Sequence, residues 1–327
     1  MAPSVSEIQK TPGSPTPDPQ NISVVPSISL NQLQDHLTTC PKLFLVPKDL
    51  KGTAEKMARM AEELQQLGCP KETAAQLSCL VLYDLIVLLD DSYSMIQEEK
   101  GERIKTLKKV MRAICEVYEL ARSDGIAHVE FLNRTEGFDD VTRHDIEELL
   151  DMKWHGITPI GTVLKEKILD DLIFDRDPVL EPLTKPMIIL TITDGDIEGE
   201  MPGTLEHNVI STVERLNDPS SKDLGADDIG FMFAKVGNNP AANDLLNRLD
   251  DDEYVGKYVD CFLGGNLNNI DSNNTMKWMI LRKLLLGSIM PSVDAQDLAA
   301  GIEGEVKKAK LVEKLRRPRG RFVRQKE

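Results

Sequence analysis

The stretch that decides the fold runs from Asp84 to Met95: Asp84-Leu85-Ile86-Val87-Leu88-Leu89-Asp90-Asp91-Ser92-Tyr93-Ser94-Met95. Five aliphatic residues without polar alternation suit a strand buried on both faces of a parallel sheet. The run stops abruptly at polar residues. Parallel sheets place their sites just beyond the carboxyl ends of their strands. Asp90, Ser92 and Ser94 would stand there as hard oxygen donors, which suit Mg²⁺, Ca²⁺ or Mn²⁺ better than zinc or copper.

Working outward, apolar periodicity predicts a short helix at Leu30, Leu33 and Leu37, and an amphipathic helix over 53–67 that Gly68 stops. A further short helix runs from Pro70 toward Ser78. Beyond the opening stretch, Ile104, Leu107, Met111, Ile114, Tyr118 and Ala121 make one stripe of a helix over 100–121, with Lys, Arg and Glu opposite. A strand follows at 127–132. Gly137, Asp139 and Asp140 read as an acidic loop, and a helix follows near 142–150. A short strand is expected near Met152–His155. Leu164, Ile168 and Leu172 mark a helix at four-residue spacing. Strands at 187–193, 229–236 and 258–262 alternate with helices at 205–216 and 243–249, and 278–286 reads as a last apolar helix. Alternating elements of these lengths predict an α/β fold: a doubly wound, mostly parallel sheet flanked by helices.

The order along the chain divides it into a Pro- and Ser-rich disordered segment (1–28), an N-terminal helical extension (29–83), the α/β domain (84–265), a C-terminal helical extension (266–305) and a basic tail (306–327). From Lys307 to Glu327 ten Lys or Arg face two Glu, a charge of +8, so the net −15 of the chain leaves −23 on the rest. So acidic a body argues against a nucleic-acid face on the main domain, while the tail is suited to acidic partners. Five cysteines without a CxxC pair, no apolar leader and no long apolar run predict a reduced chain without a membrane span. The expected location is the cytoplasm, or the nucleus if the tail acts as an import signal. The sequons at Asn21, Asn133 and Asn273 are then chance matches.

The pattern Asp90-x-Ser92-x-Ser94-Met95 after a buried strand resembles the metal-ion-dependent adhesion site of von Willebrand factor type A domains. Gly156-Ile157-Thr158-Pro159-Ile160-Gly161-Thr162 resembles the Gly-x-Thr loop of that family, and Met187–Gly195 its strand ending in Thr193-Asp194-Gly195. The resemblance runs from about Asp84 to Cys261. It implies a metal site of Asp90, Ser92, Ser94, Thr158 and Asp194. Ser92, Ser94 and Thr158 would touch the ion directly, and the two aspartates directly or through water. Thr162 would take the place of Thr158 in a differently shaped loop. It implies Mg²⁺ (or Mn²⁺ or Ca²⁺) and a partner protein whose Asp or Glu completes the coordination. Asp91 and Asp196 read as solvated loop carboxylates, and Tyr93 stands where the family often has a small residue.

Two other functions stay open. Asp90, Asp91, Asp194 and Asp196 could hold a metal for phosphoryl transfer, as paired-carboxylate enzymes do. Against an enzyme, the sequence has no Gly-rich phosphate loop, no Gly-x-Ser-x-Gly elbow and no His-Glu-x-x-His, and its five histidines show no ligand spacing. The third is a scaffold whose metal site is unused. The expectation is a non-enzymatic, metal-dependent protein-interaction module.

Overall fold

The computed structural model describes residues 31–293 apart from 32, 38–44, 178–182, 196, 219–223, 264–266 and 291–292. The Pro-rich start, Leu30, Cys40, Asp196 and everything beyond residue 293, including the basic tail, lie outside the described residues. Residues 33–37 are helical. Next come α1 (Leu50–Gln66), α2 (Lys71–Leu77) and a 3₁₀ turn (Ser78–Leu82) that delivers the chain to β1 (Asp84–Leu89). Asp49 starts α1, accepting from the Gly52 amide at 2.9 Å.

The chain then runs through α3 (Ser94–Gln97), α4 (Glu102–Ala121), β2 (Ile126–Phe131), β3 (Phe138–Val141), α5 (Ile146–Leu149) and α6 (Ile160–Val163). A wider π-helical stretch, Leu164–Phe174, extends α6 toward β4 (Met187–Thr193). Then follow α7 (Thr204–Leu216), β5 (Ile229–Lys235), α8 (Pro240–Asp251), β6 (Val259–Cys261) and α9 (Asn274–Leu286). The strand order is β3-β2-β1-β4-β5-β6, with every pair parallel except β2–β3. This is a doubly wound α/β sheet, flanked by helices on both faces.

The aliphatic runs explain why β1 and β4 are central. Leu85, Val87 and Leu89 enter one core with Ile188, Leu190 and Ile192, while Ile86 and Leu88 enter the other with Met187 and Ile189. Successive side chains point to opposite faces, so only a strand covered on both sides tolerates such a run. The first core is closed by α1, α2, α4 and α9, through Met57, Leu64, Leu77, Val110, Ile114, Trp278 and Leu281. The second is closed by the α6 segment, α7 and α8. The N-terminal helices and α9 therefore share one apolar interior with the sheet. Among the described residues no helix is long and apolar enough to cross a membrane.

Three sequence expectations are corrected. Phe138–Val141, read as part of an acidic loop, is an antiparallel edge strand on β2. The strand expected near Met152–His155 is absent, so Asp194 still ends the fourth strand because β3 precedes it. In the stretch after α6, Leu164, Ile168, Leu169 and Ile173 are buried and Leu172 only partly so. A π turn is wider than an α turn, which moves the buried face from a four- to a five-residue step.

Candidate functional site

Strand register brings the site together. Leu89 of β1 pairs with Ile192 of β4, and the Asp90 amide extends the ladder by donating to the Ile192 carbonyl at 3.0 Å. Asp90 and Asp194 are therefore neighbours at one rim of the sheet, where the strand order reverses direction.

Asp90 is buried and fixed at both oxygens. The Ser92 amide donates to Oδ1 at 2.9 Å, and the Thr193 hydroxyl donates to Oδ2 at 2.6 Å, with a longer 3.4 Å contact from the Asp194 amide. The Ser92 and Ser94 hydroxyls are 3.0 Å apart, and Ser94 Oγ donates to Asp194 Oδ1 at 2.9 Å. Burial, against these donors, raises the Asp90 carboxyl above its ordinary range. Burial and the nearby Asp90 charge push Asp194 up to about 6, even though Arg103 and Ser94 pull it down. Two buried carboxylates facing each other in this way favour a positive charge between them.

Thr158 stands on a separate loop, where its carbonyl accepts from the Ile160 and Glu198 amides rather than from a candidate ligand. The loop that carries it is braced on the first segment: the His155 amide donates to the Asp91 carbonyl at 3.0 Å, and the Tyr93 amide to the Gly156 carbonyl at 3.4 Å. The Glu198 amide donates to the Thr158 carbonyl at 3.1 Å, tying the loop to the segment after Asp194. Gly156 has φ +89°, and a Cβ there would collide with the Asn133 amide, so only glycine fits this turn. Thr158 is buried. Thr162 instead sits in α6, its amide donating to Glu200 Oε2 at 2.6 Å.

The reading of Asp91 as a solvated carboxylate is corrected. It is buried and accepts from the Asn133 amide and side chain at 2.8 and 3.0 Å and from the Arg134 amide at 3.0 Å. Its role is to clamp the loop after β2. Asn133 spends its side-chain N–H groups on Asp91 and the Ile157 carbonyl, and Asn273 caps α9 by accepting from the Met276 amide. Both sequons are thus structural. Tyr93 points outward and is 54% exposed.

Arg103 is a site residue that the sequence reading placed on the solvated face of α4. It is 2% exposed, and its Nη1 donates to Asp194 Oδ2 at 2.6 Å. Its other nitrogens donate to Glu98 and Glu99. Nothing in a helical period marks a buried guanidinium; its signal is the distant carboxylate it meets.

Asp90, Ser92, Ser94 and Asp194 offer two carboxylates and two hydroxyls, all hard oxygens of the kind that suits a cation of the Mg²⁺ type. Asp194 Oδ1 faces the serines, while Oδ2 is taken by Arg103. Among the described residues no group of three or more His, Cys, Asp or Glu side chains is gathered to hold a metal ion.

Fold and site together define a doubly wound α/β protein with clustered oxygen donors at its switch point. A scan of protein-family models finds no match, and neither does a search of curated proteins. Among solved structures the chain is similar to proximal thread matrix protein 1 from the mussel byssus, crystal form 2. That match has 18% identity over 64% of this chain and 48% of that one, at a TM-score of 0.40. It is also similar to a von Willebrand factor type A structure from Catenulispora acidiphila, at 12% identity over 63% of this chain and 43% of that one, with a TM-score of 0.36. The chain thus spans less than half the length of these solved chains. The fold assignment rests on strand order, not on these scores.

Proposed function

We propose that this chain is a divalent-cation-dependent protein-interaction module. Asp90, Ser92, Ser94, Thr158 and Asp194 would hold Mg²⁺, or Mn²⁺ or Ca²⁺ in its place. When bound, the ion would supply a positive centre able to accept an Asp or Glu carboxylate from a partner protein. The observation that carries the reading is the run of oxygens Ser92 Oγ, Ser94 Oγ and Asp194 Oδ1, each within 3.0 Å of the next, drawn from segments 100 residues apart. Asp90 stands at the end of β1 beside Ser92, its orientation fixed by Ser92 and Thr193.

The rim supports a protein ligand. Tyr93, Ile96, Ile157 and Met201 are exposed large apolar side chains on the segments that carry the candidate ligands, and Met201 is 77% exposed. Exposed apolar side chains on these segments would suit contact with a protein ligand. In this reading the role is binding rather than turnover. In this reading the chain works in the cytoplasm, and the 306–327 tail meets acidic partners or an import receptor. Deleting residues 316–327 and following location tests the tail alone.

Mg²⁺ binds only the folded state, so it should raise the melting temperature of the full chain. Asp90→Ala and Asp194→Ala should remove that increment. Partner capture should fail in EDTA and in the Ser92→Ala, Ser94→Ala double variant. Capture indifferent to chelation places recognition elsewhere. Saturable phosphoester turnover that vanishes in Asp194→Ala would replace the reading with phosphoryl transfer. A second reading, a scaffold with an unused site, is favoured by Arg103, whose guanidinium already holds Asp194.

A further inference from the structure

Arg103 has more partners than a structural ion pair needs. Its Nη1 donates to Asp194 Oδ2 at 2.6 Å, its Nε to Glu99 Oε1 at 3.1 Å, and its Nη2 to Glu98 Oε2. One buried guanidinium thus faces three carboxylates. The backbone that supplies two of them is strained: Glu99 and Lys100 have φ of 51° and 54°, and Gly101 follows at 80°. Consecutive left-handed residues other than glycine persist only where their surroundings hold them. Here the Asn238 amide donates to Glu99 Oε1 at 2.8 Å, and a Cβ on Gly237 would press to 2.6 Å from both Arg103 Nε and Glu99 Oε1. The loop after β5 therefore packs against the turn and keeps Glu99 on Arg103.

We propose that Arg103 is a tethered counter-cation that competes with a divalent ion for Asp194, with Glu98 and Glu99 as its standing partners. This rests on the cation reading of the site. In the chain alone, Arg103 neutralises one of the two facing aspartates and occupies Asp194 Oδ2. A divalent ion at the serines must share Asp194 with this fixed positive charge, which weakens its binding. Arg103 gives up only one of its three carboxylates in the exchange, so its charge stays beside the site. Asp90, Asp194, Glu98, Glu99 and Arg103 together carry three negative charges, and a divalent ion reduces that to one. Without Arg103 the loaded cluster would carry two negative charges. Arg103 therefore lowers the affinity for the ion and makes the loaded site less repulsive to an acidic ligand.

The test titrates the full chain with Mn²⁺ by calorimetry and with Mg²⁺ by thermal shift. Arg103→Gln should tighten Mn²⁺ roughly tenfold or more, because a positive charge beside a ligand oxygen is gone. It should also enlarge the Mg²⁺-induced rise in melting temperature. Arg103→Lys, which keeps the charge, should stay near wild type. The Glu98→Gln, Glu99→Gln variant leaves Arg103 leaning on Asp194 and should weaken Mn²⁺ several-fold. Glu102→Gln, an exposed residue of the same region paired with Lys105, controls for overall charge and should change nothing. Equal Mn²⁺ affinity in wild type and Arg103→Gln overturns the inference and leaves the cation reading standing. Binding by Arg103→Gln but not by wild type supports the inference and ends the reading of the native site as loaded. Binding by neither overturns both. If Arg103→Gln does not fold, a Glu98→Gln, Glu99→Gln variant no weaker than Glu102→Gln overturns it.

Discussion

Thr193 occupies no candidate ligand position, yet Asp90 depends on it. Its buried hydroxyl donates to Asp90 Oδ2 at 2.6 Å and accepts from the Gly195 amide at 3.3 Å. Thr193→Val keeps the shape and removes that donor. The Asp90 carboxylate would then keep the Ser92 amide and the long contact from the Asp194 amide. A buried charged acceptor deprived of a donor costs about 1–3 kcal/mol. Urea denaturation should show that loss, and an unchanged midpoint would mean the hydroxyl contributes nothing. Asp90 and Asp194 are legible as rim residues because each ends an aliphatic strand, whereas Thr158 is singled out only by the resemblance. Arg103 and Asp91 were not legible. Periodicity assigns every polar residue of a helix or loop to solvent, and a buried ion pair or clamp is defined by partners that sequence distance hides. Arg103 meets Asp194, 91 positions away, and Asp91 meets Asn133, 42 positions away.

Elements with an apolar signature were read to within a few residues, and those without one were missed. β4 begins and ends where its aliphatic run does. β3 has no such run because it is a short edge strand, where charged side chains are tolerated and discourage further pairing. Its Asp139 lies opposite His128 and meets its Nδ1 at 2.7 Å, a cross-strand pair that reads as loop polarity in the sequence. The helical residues 33–37 dock through His36, whose Nε2 lies 2.8 Å from the Tyr83 hydroxyl, just before β1. Burial pushes this imidazole from 6.5 down to about 4. The unfolded chain therefore binds the proton more readily than the folded one. The contribution of His36 is complete above pH 6.5 and is lost as pH falls from 6.5 toward 4. A shift of this size corresponds to roughly 3 kcal/mol. His36→Phe should flatten the fall in stability across that window, measured by denaturation at several pH values. An unchanged slope would assign the acid sensitivity to other groups.

At the scale of the molecule, the division between an α/β domain and helical extensions that the sequence suggests has no counterpart in the packing. Met57, Met60 and Leu64 of α1, Leu77 of α2 and Leu80 of the following turn lie in the same core as Val87, Val110 and Trp278. Each such side chain contributes about 1.5–3 kcal/mol when buried. Five of them amount to about 8–15 kcal/mol, as much as the whole stability of an ordinary domain. A chain that begins at Asp84 should therefore fail to fold cooperatively, although it keeps every candidate ligand. It would also uncover the face of β1 and α4 that α1 and α2 close, and such a surface drives association. Near-UV circular dichroism and a thermal melt of the 84–327 chain would check this. A sharp transition with native aromatic signals would show that α4, α9 and the sheet bury enough on their own. In that case α1 and α2 would be removable without loss of the rim that carries Asp90 and Asp194. A broad, aggregating melt would mean that the geometry of the site, set by the β1–β4 register, is maintained by α1 and α2, which end before the first ligand is reached.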